Sequence, residues 1–417
     1  MVELRARMAA ASQSAQPTLP NTGEGWGTQI SFVGMGGERM EALGLERVVR
    51  AEDVAVMGIT EVILHLPRIY GEYRKLKAAV SRGSRSGPAR RPDLAVLIDF
   101  PDIHLKLAEE FKRLGIPVIF FVSPQLWAWK KGRIKRVQRF VDRMLVIFPF
   151  EEPFYRERGV DATYVGHPLA DLALPSIARE QFAAEDGLDP AKRWIGLLPG
   201  SRMKEIRLNL PEMVRAARVL WEHDPKTEFL LPTAPTLTMA QLHEVTGLLN
   251  QYACGNGPGQ LPLRLVRDAR ATLLHARGSI VASGTATVEA ALIGNPFVVV
   301  YRVSPVTYAI AKRVVTVPHV AMVNLVANWD ANRRLVPELI QDDFTAGRIV
   351  QELEPLLVDG GARSEMMAGL AAVGAKLRAG RDSSSGETAI GTVASVVLQI
   401  LGLGGRLAPT SPDGVRP

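Results

Sequence analysis

A chain of 417 residues, 47% of them hydrophobic, is too long for one ordinary core and rich enough to fill two. One cysteine, Cys254, rules out an internal disulfide framework, and seven scattered histidines give no metal-ligand cluster. The net charge of +7 narrows the sharper partner classes to nucleic acid, anionic lipid or a phosphorylated substrate, against the plain reading of a solvated basic surface.

Residues 2–11 have a helical pattern, and residues 12–28 are Ser/Pro/Gly/Thr-rich and predict a loop. The opening stretch has no continuous apolar core of a signal peptide. No run reaches the roughly 20 apolar residues of a membrane-spanning helix. A cytoplasmic location is expected. "QISFVGMGG" predicts a strand running into a glycine turn, and 39–57 predict helical and short extended pieces. Residues 57–80 predict a helix interrupted at Pro67, and 82–93 a loop. "LAVLID" is a wholly apolar strand of the kind buried in parallel sheets.

Alternation then continues. "PVIFFVS", "RMLVIFPF" and "ATYVGHP" predict strands, and "KGRIKRVQRFV" and "EEPFYRERG" predict helices. A second series begins at "WIGLLPGSR" and runs through "EFLLPTA", "LPLRLVR", "GSIVASG" and "PFVVVYR", with helical segments between. Strands alternating with helices at this spacing predict doubly wound parallel α/β sheets. The expected division is an N-terminal Rossmann-like domain over 1–170 and a second over 171–345. Helices over 346–400 and a disordered tail over 401–417 follow.

Ligands of open α/β sheets bind outside the carboxyl ends of the strands, so residues just after each strand carry the information. In "LLPGSR", Gly200 admits close approach, Ser201 and the helix start can donate to a diphosphate, and Arg202 adds a permanent charge. In "SGTATVEAAL", Ser283, Gly284 and Thr285 form a second small-residue turn, and Glu289 sits one turn on, placed to accept from a vicinal diol. Two such turns in one α/β domain point to a nucleotide-diphosphate site. No G-x-G-x-x-G follows a strand with an acid about 20 residues on, which disfavours a hydride-transfer enzyme.

In the N-terminal series, "LIDFPD" places Asp99 and Asp102 at a strand end. After the next strand, Trp127 and Trp129 flank Ala128, and Lys130, Lys131, Arg133, Lys135 and Arg136 follow. That pattern fits nucleobase stacking, a membrane interface or a phosphorylated lipid headgroup, and equally packing anchors beside a solvated helix face. His167 in "VGHP" follows the last strand and is either a ligand contact or a structural histidine. The apolar stretch 56–66 and the basic run 130–143 together suit an interfacial, non-spanning contact with anionic lipid, or burial of the first in the core.

Taken in order, "FVGMGGERM", "AVMGITEV", "LIDFPD", "VSPQLWAWKKGRI", "DRMLVIFPFE", "FYRERGV", "VGHPLAD", "LLPGSR", "SGTATVEAAL" and "VPELIQ" resemble the lipid-A-disaccharide synthases over roughly residues 30–345. The resemblance implies two Rossmann-like domains facing across a cleft, the B-type glycosyltransferase fold. It implies transfer of 2,3-diacylglucosamine from its UDP-activated form to the 6-hydroxyl of 2,3-diacylglucosamine 1-phosphate. No cofactor and no nucleic-acid partner are implied, and the work is done peripherally at the inner face of the cytoplasmic membrane of a Gram-negative bacterium. The family's essential acid falls on Asp99, the base that takes the acceptor's proton. Asp102 is expected to cap the following helix or to act from behind Asp99. Ser201, Arg202, Ser283, Thr285, Glu289 and Asn324 are the implied UDP-site residues. Trp127, Trp129, Lys130, Arg133 and His167 stand on the acceptor and lipid side.

The sequence departs from the family's opening strand and G-E-x-S-G-D loop. The "GEGWG" at 23–27 has no strand before it. A sheet lacking that strand is expected to expose its interior and lose a wall of the active site. Two readings follow: Met1 is an internal methionine of a longer chain, or this is a shortened, catalytically impaired member. Other readings are a different UDP-sugar transferase or epimerase, a UDP-sugar binder without turnover, and a nucleic-acid binder. Oligomeric state is left open.

Overall fold

The computed structural model describes residues 1–4, 6, 30–53, 59–82, 91–129, 131–253, 259–327, 333–378 and 387–403. The expected loop at 12–28, most of that at 82–93, the "GEGWG" stretch, Lys130 and nearly all of the expected tail at 401–417 lie outside the described residues.

Twelve strands form three sheets among the described residues, and every pairing is parallel. The first sheet is the pair β1 (Phe32–Gly36) and β2 (Leu45–Arg50). The second has the order β3 (Ala95–Ile98), β4 (Val118–Phe121), β5 (Arg143–Val146) and β6 (Ala162–Tyr164). The third contains β7 (Arg193–Leu198), β8 (Thr227–Pro232), β9 (Leu263–Val266), β10 (Gly278–Ala282), β11 (Phe297–Tyr301) and β12 (Glu338–Ile340). Its order is β12-β11-β10-β7-β8-β9. The chain therefore runs outward from β7 to β9 and restarts on the other side of β7 with β10. That reversal is a topological switch point, where open α/β sheets bind ligands.

The connecting helices used below are α1 (Ile59–Arg82), α2 (Pro101–Arg113), α3 (Ile134–Phe140), α4 (Glu151–Arg156), α5 (Met203–His223), α6 (Thr285–Ile293), α7 (Pro305–Val314), α8 (Met322–Ala327), α9 (Ala346–Leu357), α10 (Gly361–Arg378) and α11 (Ala389–Ile400). The expected break at Pro67 is corrected: α1 continues through it. A proline removes one backbone donor, and a helix of 24 residues keeps enough bonds on both sides to continue. The helix α7 is not among the elements expected from the sequence. No described helix is long and apolar enough to cross a membrane.

Period-two alternation on β4 shows how the N-terminal half is covered. Val118 and Phe120 join the main core, while Ile119 and Phe121 point to the opposite face. There they meet Leu145, Val165 and Val397, the last from α11. The C-terminal helix thus packs on the N-terminal sheet. Asp171 fixes its start by accepting from the Ala389 N–H at 2.7 Å.

Candidate active site

Parallel pairing of β7 with β10 sets Leu198 beside Val281, so the loops that follow these strands are neighbours at the switch point. One is Pro199–Arg202, the other Ser283–Thr285. Gly200 has φ +117°, and a Cβ there would lie 2.5 Å from Glu205 Oε2. Glycine is required by both the dihedral and the close approach. Gly284 has φ +153° with open space around its missing Cβ. It is the N-cap of α6 and has no side chain to satisfy the first-turn donors, so Thr285 opens the helix beside an uncovered backbone. Ser201, Arg202 and Thr285 are exposed, and Ser283 and Glu289 are half-buried. Burial raises the Glu289 pKa, opposed by Arg270 and reinforced by Asp268.

Glu205 is the residue that sequence reasoning missed here. Its carboxylate accepts from the Ser201 N–H at 3.2 Å, the Arg202 N–H at 3.4 Å and Arg202 Nη1 at 2.8 Å. Its three-residue spacing from Arg202, the signature of a capping box, was the available signal. Glu205 thus holds the donors that the sequence reading offers to a diphosphate.

Asn324 is corrected. Its side chain is fully buried and its amide is saturated. Oδ1 accepts from the Leu335 and Val336 N–H groups at 2.8 and 2.9 Å. Nδ2 donates to the Val336 carbonyl at 2.9 Å and to Glu338 at 2.7 Å. An amide has two donors and two lone pairs, and all four are engaged. Asn324 brackets α8 to the segment before β12 and has nothing left for a nucleotide.

At the end of β3, Asp99 and Phe100 both lie in the left-handed region, with φ 51° and 52°. Two consecutive non-glycine residues there cost backbone energy, which neighbouring bonds must hold. The Asp99 N–H donates to the Phe121 carbonyl at 3.0 Å, and the Asp99 carbonyl accepts from His104 Nδ1 at 2.7 Å. His104 is buried, and burial lowers its pKa, with the Asp99 carbonyl opposing. Clamped in this way, the Asp99 side chain stands exposed at the strand's carboxyl end. Asp102 is corrected as a cap: the N-cap residue of α2 is Phe100, and Asp102 is the second residue of the helix. It suits the positive helix end and pairs with Arg133, which closes one side of the turn.

The tryptophans separate. Trp127 is buried, donates Nε1–H to Glu151 at 3.0 Å and meets Phe150 edge-on. It fits the packing-anchor alternative of its sequence readings. Trp129 remains 38% exposed. Glu151 also accepts from Ser123 Oγ at 2.6 Å and from the Ile147 and Phe148 N–H groups at 3.2 and 3.0 Å. Its pKa is raised by desolvation, against these four bonds. The loop it holds reaches the other half: the Ala128 carbonyl accepts from the Thr316 N–H at 3.1 Å.

His167 fits the structural alternative of its two sequence readings. It is buried against Phe148, its Nδ1 accepts from the Leu169 N–H at 3.2 Å, and its backbone N–H donates to the Leu377 carbonyl. Burial lowers its pKa to about 4, with Asp171 opposing, so the ring is neutral near pH 7.

Comparison with known proteins agrees with this geometry. Residues 18–389 match the model of the family described as lipid-A-disaccharide synthetase. A lipid-A-disaccharide synthase of Acidobacterium capsulatum is 62% identical over 375 residues, 89% of this chain and 89% of that protein. Another, from Koribacter versatilis, is 47% identical and covers 88% of this chain and 91% of its own. Among solved structures, MnaA of S. aureus, determined with UDP, superposes with a TM-score of 0.54 at 12% identity, covering 90% of this chain and 98% of that one; it shows the fold alone. Two α/β halves with a switch-point site and an ordered set of motifs shared with close relatives lead to one assignment: this chain belongs to the lipid-A-disaccharide synthase family of glycosyltransferases.

Proposed function

We propose that this glycosyltransferase of lipid A assembly uses Asp99 as its general base, working at the membrane surface where its acylated substrates lie. The acceptor is 2,3-diacylglucosamine 1-phosphate and the donor is the UDP-activated sugar. Asp99 takes the proton of the acceptor 6-hydroxyl as its oxygen bonds to the anomeric carbon. The bond from that carbon to the diphosphate oxygen breaks, through a centre with oxocarbenium character. Charge develops on the departing UDP. Ser201, Arg202, Ser283 and Thr285 stabilise it at the switch point, and Glu289 accepts from the ribose.

The observation that carries this reading is the clamped turn. It fixes the backbone of Asp99 while leaving its carboxylate exposed at a strand end. Asp99→Asn keeps the shape and tolerates the left-handed backbone. Its expected effect is a fall in kcat of about 10²–10⁴-fold with the melting temperature unchanged. Assays with both diacylated substrates in detergent measure it, and a parental rate would end Asp99's role as base.

A further inference from the structure

The helix α7 buries none of its residues, although it is half apolar. Val306 is 71% exposed, Ile310 42% and Val314 43%. Residues four apart share one helix face, so these three form a single outward stripe. Tyr308 and Ala311 are the helix residues turned partly inward. Lys312 and Arg313 are exposed and have no ion-pair partner among the described residues. Two positions after the helix ends, Thr316 bonds to Ala128 in the other half, and Ala128 adjoins the exposed Trp129. The apolar stripe therefore lies at the rim where the two halves meet.

We infer that α7 is a lipid-contact surface: it lies flat in an anionic bilayer, with Val306, Ile310 and Val314 inserted and Lys312 and Arg313 among the headgroups. This deepens the membrane-surface reading above and rests on it. An apolar stripe flanked by the exposed Arg313, with Lys312 exposed in the same turn, matches a bilayer with acidic headgroups. A second copy fits less well, because a two-fold contact on this face would bring the cations of both copies into one interface. The location beside the cleft rim places the entry of acylated substrates at the bilayer surface.

Flotation of the full chain with vesicles tests the inference. Vesicles of phosphatidylethanolamine with phosphatidylglycerol are compared with phosphatidylcholine. The parent chain is expected to favour the anionic vesicles. Val306→Asp with Ile310→Asp is expected to weaken partitioning at least about tenfold. Lys312→Ala with Arg313→Ala is expected to remove most of the preference for anionic lipid, roughly tenfold. UDP binding and melting temperature should stay parental in all of them, and Ile310→Ser serves as a milder second variant. If the parent floats and the aspartate and serine variants float equally well, the inference is overturned while the membrane reading stands. If the parent binds neither vesicle, both fall. If the variants dissociate a dimer and leave flotation unchanged, the face is a self-association surface and the inference is wrong.

Discussion

In the six-stranded sheet, β10 is buried along its whole length and β11 at all but its last residue. In the four-stranded sheet, β3 alternates, with Val96 39% and Ile98 47% exposed. Both strands read as apolar runs. The difference lies in their neighbours. β10 pairs on both sides, with β7 and β11, whereas β3 pairs only with β4 among the described residues. The pair β1–β2 forms a sheet of its own, and no strand adjoins that edge among the described residues. A strand buried on both faces needs flanking strands as well as covering helices, and an apolar run announces the need without showing that it is met.

The same contrast separates the polar residues of the two halves. In the C-terminal half, Asn324 is spent on the fold; at the end of β3, the hydrogen bonds that hold Asp99 among the described residues are those of its backbone. Replacing Asn324 with Ala should cost about 3–5 kcal/mol in denaturant unfolding, because two N–H groups and a carbonyl lose their partner beside the buried Glu338. A stable Asn324→Ala protein with weakened UDP binding would reverse the assignment of that residue.

Acid should act next most strongly, at the crossing between the halves. His167 has a folded pKa of about 4, below its ordinary 6.5. The unfolded chain then binds more protons between these values, so stability is fully present above pH 6.5 and falls as pH drops toward 4. The loss approaches about 3 kcal/mol. His167→Asn keeps an acceptor for the Leu169 N–H and should flatten this pH dependence; an unchanged slope would place the titration elsewhere.

A smaller test compares the sheets directly. Val298→Thr in β11 buries a hydroxyl where no apolar side chain is exposed and should cost about 2 kcal/mol. Ile98→Thr on the open edge of β3 should change stability by no more than about 0.5 kcal/mol. Equal costs for the two would show that the β3 edge is covered in solution.

Much of the fold was legible because it is local. The apolar runs, glycine turns and helical periods located the strands of both series. The two small-residue turns were found from residue type alone, since small residues and a helix start declare themselves in sequence. The directions of side chains were not. Trp127 and Trp129 lie two residues apart in one loop, yet one is 3% exposed and the other 38%. Only the buried carboxylate of Glu151 decides which turns inward. His167 and Asn324 follow strong motifs and were placed in the site by resemblance, while the His167 ring accepts from Leu169 and the Asn324 amide donates to Val336.

By itself the sequence determined the parallel α/β class, the two switch-point turns and the family. It also placed Asp99 at a strand end. Tertiary structure alone decided that His104 and Phe121 clamp the Asp99 turn, that Glu205 engages the Ser201 and Arg202 donors, and that α7 turns its apolar stripe outward. The physical reason is range. Propensity, capping and turn chemistry act within a few residues, whereas burial and hydrogen-bond saturation depend on partners brought in from elsewhere in the chain.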